Sequence, residues 1–229
     1  MQNSDETAPL NRVMHRSTAS RGPLVFLGVT AVLCSAWSIA GTTQLDVWAF
    51  ELLPGLIGVC GLIFLARWFS FSTLVYCVIT IAFIFIATGA RYTYAEVPLA
   101  DWVGDSFGWK RNSFDRLGHL VQGLTVGLMT REVLLRRTTL SPWCGVPILT
   151  IAFALSFSAL YELVEWWTVL AFYADHGPEW LGTQGDPWDA QQDMAMGLSG
   201  AILATTFFAP FQDWSIRRLR NVEKRSLKC

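Results

Sequence analysis

Residues 71–90 read FSTLVYCVITIAFIFIATGA, a run of twenty residues without one charged side chain. An α-helix needs ~20 predominantly apolar residues to cross a hydrocarbon layer, and backbone that sits in lipid must satisfy its own hydrogen bonds. This run therefore predicts a membrane-spanning helix and makes a soluble fold a poor reading of the chain.

Five further segments have comparable length, at residues 24–40, 48–66, 114–135, 146–173 and 188–209. The overall composition agrees, with 52% hydrophobic and only 15% charged residues and with eleven tryptophans and fifteen phenylalanines in 229 positions. The expected fold class is all-α: a polytopic integral membrane protein of six transmembrane helices in a bundle. Residues 1–22 are polar and are expected to form a disordered cytoplasmic tail. Residues 23–211 form the six-helix domain, and residues 212–229 a basic cytoplasmic tail. The first span could be taken for a cleaved signal peptide, but its polar leader is long for one and its length is nearly that of a span. Cys34, Cys60 and Cys77 lie inside apolar runs, Cys144 at a helix start and Cys229 at the terminus, so no disulfide framework is expected.

Orientation follows from where the basic residues fall. With the N-terminus inside, cytoplasmic stretches hold 13 of the 17 Lys and Arg residues; Arg91, Lys110, Arg111 and Arg116 lie at the third loop outside. Positive-inside bias thus favours both termini in the cytoplasm. The stretch 174–186 is acidic, with Asp175, Glu179 and Asp186, and would lie outside. Most tryptophans fit an interfacial belt. Arg131, Arg136, Arg137 and the basic tail read as ordinary positive-inside charges, with anionic lipid headgroups as an alternative contact. No nucleic-acid partner is expected.

The first three segments carry almost no ionisable groups within them, and Glu51 reads as interfacial. The last three differ. FDRLGHLVQG places Asp115, His119 and Gln122 on one helical face, ALYELVEWW places Glu162 and Glu165 on another, and GDPWDAQQDM stacks Asp189 and Asp193 at i, i+4 behind Asp186. On the N-inside model these groups converge in the outer half of helices four to six. A carboxylate at such depth costs about 2.5–3.5 kcal/mol on insertion scales and faces a bundle interior, a wet cavity or a partner. Like charges held this close need a cation or shared protons.

Oxygen donors with one imidazole suit Mg²⁺, Mn²⁺ or Ca²⁺ better than zinc. Asp115, Asp186, Asp189 and Asp193 are the candidate metal ligands, with Glu165 as a further donor. His119, Glu162 and Glu165 are the candidate catalytic groups, and Arg91 and Arg116 the candidate anion-binding groups. Plainer readings stand beside these. His119 alone reads more readily as a polar contact between helices than as a metal ligand, Glu162 and Glu165 read as a structural pair with Arg116, and Asp186 as a helix cap. The stretch LGTQGD reads as a tight turn or as a re-entrant loop over the site. Three functions remain open: a metal-dependent membrane enzyme acting on a lipid-linked or phosphorylated substrate, a proton-coupled or ion transporter, and a structural or accessory membrane protein.

The combination DRLGHLVQG, ALYELVEWW and LGTQGDPWDAQQDM resembles the YjdF-type family of bacterial inner-membrane proteins, themselves distantly similar to VanZ-like proteins. The likeness runs over about residues 24–210. It implies a multi-pass inner-membrane protein and marks Asp115, Arg116, His119, Glu162, Glu165, Asp186, Asp189 and Asp193 as motif positions. It implies no reaction.

Overall fold

The computed structural model describes residues 21–172 and 183–226. All regular structure among them is helical: α1 (Arg21–Ile39), α2 (Leu45–Leu65), α3 (Thr73–Tyr92), a 3₁₀ turn (Tyr94–Glu96), α4 (Pro98–Phe107), α5 (Phe114–Arg137), α6 (Gly145–Phe172), α7 (Asp189–Thr205) and α8 (Ala209–Ser226). Apart from Arg21 and Gly22, the expected N-terminal tail lies outside the described residues, as do Asp175, Glu179 and Cys229. Among the described cysteines, Cys34, Cys60, Cys77 and Cys144 are free thiols.

Four helices, α1, α2, α3 and α6, are long and apolar enough to cross a membrane alone. α7 meets the same test only together with α8, from which it is bent by 56°. Helices occupy all six expected segments, yet α5 falls short on apolarity, because Asp115, Arg116, His119, Gln122, Arg131 and Glu132 lie along it. Its partners explain why it tolerates them: α5 is packed by α3, α6 and α7, so much of its surface never meets lipid. α1 shows the opposite pattern. Val25, Phe26, Val32 and Leu33 are more than 60% exposed, and an apolar surface of that extent is what a hydrocarbon solvent permits.

The helices form two groups joined along α3 and α5. In the first, α3 packs against α1 and α2 through Val75, Ile79, Phe83 and Ala87. In the second, α5 packs against α6 and α7, and its contact with α7 is the most extensive in the molecule. Small residues make that contact. A Cβ on Gly123 would overlap the carbonyl of Gly197, and one on Gly127 would come within 2.8 Å of the Ala204 Cβ. Close backbone approach through small residues is the usual means of associating helices in lipid, where burial of apolar surface provides no drive.

Two helices were not expected. α4 begins on Pro98 and ends at Gly108, whose φ of +70° is the left-handed C-terminal cap that glycine supplies. α8 turns the expected basic tail into a helix with Gln212, Ser215, Ile216 and Leu219 buried against the bundle.

Candidate functional site

The acids gather at the end of the bundle where α5 and α7 begin and α6 finishes. Asp115 and His119 occupy the first two turns of α5, and Asp189 and Asp193 the first two of α7. Glu162 and Glu165 lie two to three turns before the end of α6. The Gly123–Gly197 approach holds α5 against α7 closely enough for their side chains to share one space.

His119, 4% exposed, is the centre of this space. Its Nε2 lies 3.3 Å from Glu162 Oε1 and 3.7 Å from Asp115 Oδ1, and the edge of Tyr161 packs against the ring. Two groupings share it: one potential ligand atom each from Asp115, His119 and Asp193 lie within 4.8 Å of one another, and so do those of His119, Glu162 and Glu165. Asp193 is 2% exposed. Its Oδ1, with Nδ1 of His119 and Oε1 of Glu162, is buried without a hydrogen-bond partner. Burying such atoms unpaired costs roughly 1–3 kcal/mol each, so a group of them is not what packing alone would select.

The arginines serve the outer rim of the site. Arg111 meets Asp189 at 2.5 Å, and Arg116 meets Asp186 at 2.6 Å and Asp189 at 4.0 Å. Asp186 also accepts the Trp188 backbone N–H and the Gln192 side-chain N–H. The Trp188 N–H, followed by the Arg116 guanidinium, holds its carboxyl below the usual carboxylate range. The bond to Trp188 N–H makes Asp186 an Asx turn ahead of α7 rather than its cap, since Trp188 holds the N-cap position and has no side-chain cap hydrogen bond. Before it, Gln184 and Gly185 take positive φ values of 49° and 84°, and Asp186 N–H closes a turn on the Thr183 carbonyl. This is the tight-turn reading of TQGD. Gln184 clasps the backbone of Asn112 through both its amide atoms, and Arg111 donates to Thr183. The turn is thereby fastened to the start of α5.

Sequence reasoning missed two of these groups. Arg111 sits in a connection with no periodicity to mark it. Glu51 reads as interfacial, yet its Oε2 is buried without a hydrogen-bond partner and the residue lines a cavity with Asp115, His119, Tyr161 and Glu165. Arg91 lies apart from the ion pairs: it donates to the Trp37 carbonyl and stacks over the rings of Trp37 and Tyr92.

The opposite end of α5 shows what a structural polar cluster looks like in this protein. Glu132, fully buried, accepts the Ser72 N–H at 2.8 Å, the Ser72 hydroxyl at 2.7 Å and Arg136 at 2.7 Å. Arg131 donates to Gln212 and Asp213, and Gln212 donates to the Leu128 carbonyl. Here each carboxylate meets a guanidinium. At the other end Asp115, Glu162, Glu165 and Asp193 form no salt bridge with Lys or Arg among the described residues.

Several passes of apolar helix around a buried polar site define a multi-pass membrane protein. Residues 23–214 match the family described as "Predicted membrane protein (DUF2238)", and the chain belongs to that family. It is 40% identical over 171 residues to the inner membrane protein YjdF of Escherichia coli (strain K12), covering 75% of this chain and 81% of that protein. The YjdF-type likeness and the inner-membrane location read from the sequence are thus both borne out. No solved structure matches the chain.

Proposed function

We propose that this protein is a divalent-metal-dependent membrane enzyme acting on a phosphorylated substrate. The observation that carries the reading is the set of four carboxylates, Asp115, Glu162, Glu165 and Asp193, around His119, none of them in a salt bridge with arginine or lysine among the described residues. Such a set is short of direct positive charge, since Arg111 acts on Asp115 and Asp193, and Arg116 on Asp115, only through space, and hard oxygen donors favour Mg²⁺, Mn²⁺ or Ca²⁺. Asp115, His119 and Asp193 are one candidate ligand set, and His119, Glu162 and Glu165 a second that shares the imidazole. Such an ion supplies Lewis-acid polarisation of a phosphoryl oxygen or a more acidic bound water. Glu162 Oε1, 3.3 Å from His119 Nε2 with no hydrogen bond between them, would exchange a proton with the imidazole after a small reorientation. Asp189 and Asp186 hold Arg111 and Arg116 at the rim, where a guanidinium meets an incoming anion.

The chain crosses the membrane six times with both termini in the cytoplasm, which puts the acids in the outer half. Support comes from the 13 of 17 basic residues on the inner side of that arrangement, and from α3, α6 and α7, whose packing on α5 lets it cross despite its polar groups.

Elemental analysis of the purified protein, before and after chelation, tests the reading. Wild type is expected to hold a divalent metal stoichiometrically. Asp193→Asn is expected to lose it by about 10- to 100-fold in affinity or more, with helix content and membrane insertion unchanged. Failure of Mn²⁺, Mg²⁺ and Ca²⁺ all to bind the folded wild type would overturn it. Uptake into sealed vesicles driven by a pH gradient and abolished by Glu165→Gln would replace it with a proton-coupled carrier.

A further inference from the structure

The cavity that Glu51 shares with Asp115, His119 and Glu165 has a volume of about 710 Å³, within the range of small-molecule sites, and continues far beyond them. It runs between α2 and α6 with α3 behind it and α5 as its floor. Along α5 it is lined from Asp115 to Leu134, roughly 28 Å at ~1.5 Å per residue, close to the ~30 Å of a hydrocarbon core. Its charged and tyrosine groups, Glu51, Tyr94, Asp115, His119, Tyr161 and Glu165, are all at one end. The rest is overwhelmingly apolar, and Lys and Arg are absent from its described lining. Its mouth is open to the side. Leu65 on α2 and Phe153 and Phe157 on α6 line the cavity, yet each is more than 40% exposed. Where α2 borders it there is no side chain at Gly58, and a Cβ built there meets nothing within 4 Å.

We propose that this cleft seats the hydrocarbon chain of a phosphorylated lipid, which enters from the bilayer and brings its phosphate to the acid end. The proposal rests on the metal reading above, and it names the substrate class of that site. The height and apolar walls fit a single alkyl or prenyl chain, since an apolar wall in a bilayer is best covered by chain atoms at van der Waals distance. The acid end fits the phosphate only through a divalent cation, because bare carboxylates repel it. A lipid with a cationic headgroup would need no such ion, and that difference makes the two separable.

The test uses the full chain in phosphatidylcholine nanodiscs containing a phosphatidic acid probe with a diazirine on its acyl chain. A diazirine lipid of the same chain bearing an amine headgroup is run in parallel. Both are run with Mn²⁺ or with chelator, and Mn²⁺ binding is measured separately by electron paramagnetic resonance. The phosphatidic acid probe is expected to label the cleft-lining stretches of α2, α5 and α6 about tenfold above the lipid-facing surface of α1. That excess is expected to vanish in Gly58→Trp, and in the independent variant Thr125→Phe, while Mn²⁺ binding persists. It is also expected to vanish on chelation and in Asp193→Asn. Cleft labelling no higher than that of α1, with Mn²⁺ bound, overturns the lipid proposal and leaves the metal reading standing. Labelling by the amine probe alone, or labelling by the phosphate probe that ignores chelation, overturns the phosphate assignment. Absence of Mn²⁺, Mg²⁺ and Ca²⁺ binding alike in wild type overturns the reading underneath.

Discussion

Arg111 and Asp189, 78 positions apart in the chain, meet at 2.5 Å with side chains 14% and 9% exposed. The pair ties the connection before α5 to the first turn of α7, alongside the Gln184–Asn112 clasp. A negative group in that first turn also sits well against the helix N-terminus. Arg111→Ala leaves Asp189 buried with only the more distant Arg116, at 4.0 Å. A loss of about 2–3 kcal/mol is expected, and a double-mutant cycle with Asp189→Asn should return a coupling of roughly 1–3 kcal/mol. Thermal unfolding in detergent of the four proteins measures it, and a coupling near zero would make the pair incidental.

The pH response of Asp186 has a definite sign. Its folded-state pKa lies below the ordinary value, held down by the Trp188 N–H and by Arg116. Its contribution to stability is therefore complete above the unfolded-state value of about 3.9 and is lost as pH falls through the lower folded value. The stability difference between wild type and Asp186→Asn is expected to hold steady above the unfolded-state value and to close as pH falls below it. A gap that widens on acidification would contradict the assignment.

Glu132 is a structural acid, and its variants should say so. Glu132→Ala removes the acceptor of three hydrogen bonds and leaves Arg136 buried beside Ser70. Breaking a buried pair from one side costs about 3–5 kcal/mol. Glu132→Gln keeps the shape and some acceptors, and about half that loss is expected. Both are expected to leave metal affinity, per folded molecule, unchanged. A selective loss of metal in Glu132→Gln would tie the two ends of α5 together in a way the geometry does not suggest.

Gly123→Val tests the contact that assembles the site. Its side chain would collide with the Gly197 backbone, which has no flexible end to move aside. Overpacking of this kind costs about 1–3 kcal/mol or more. Separation of α5 from α7 should also weaken the metal, since Asp193 and His119 sit on opposite sides of that seam. Metal titration of the fraction that remains folded distinguishes this from simple destabilisation.

The residue pattern exposed much of this arrangement. The i, i+4 and i, i+3 spacings of Asp115 with His119, Glu162 with Glu165, and Asp189 with Asp193 placed each pair on one helical face, and loop directions brought those faces to one end. Arg111 and Glu51 escaped because no local spacing signals their partners. Arg111 is drawn in by a turn 72 residues away, through Thr183. Glu51 sits above Pro54 in an otherwise apolar helix, where an interfacial carboxylate and a cavity-lining one look the same. α4 was hidden by its shortness, at ten residues. α8 was hidden by its charge, since its arginines drew attention away from the buried Ile216 and Leu219.

The bend after α7 reaches back to the acids. α7 stops at Thr205, and the chain resumes at Ala209 in a direction 56° away, with Gln212 gripped by the Leu128 carbonyl and by Arg131. A rod bolted at its foot cannot creep along its own length. Slippage of α7 by one turn, about 5.4 Å, would carry Asp193 out of the 4.8 Å grouping with Asp115 and His119. The register of the acid cluster along the bundle is thus set from the other end of α7, by the Gln212 amide held at the Leu128 carbonyl.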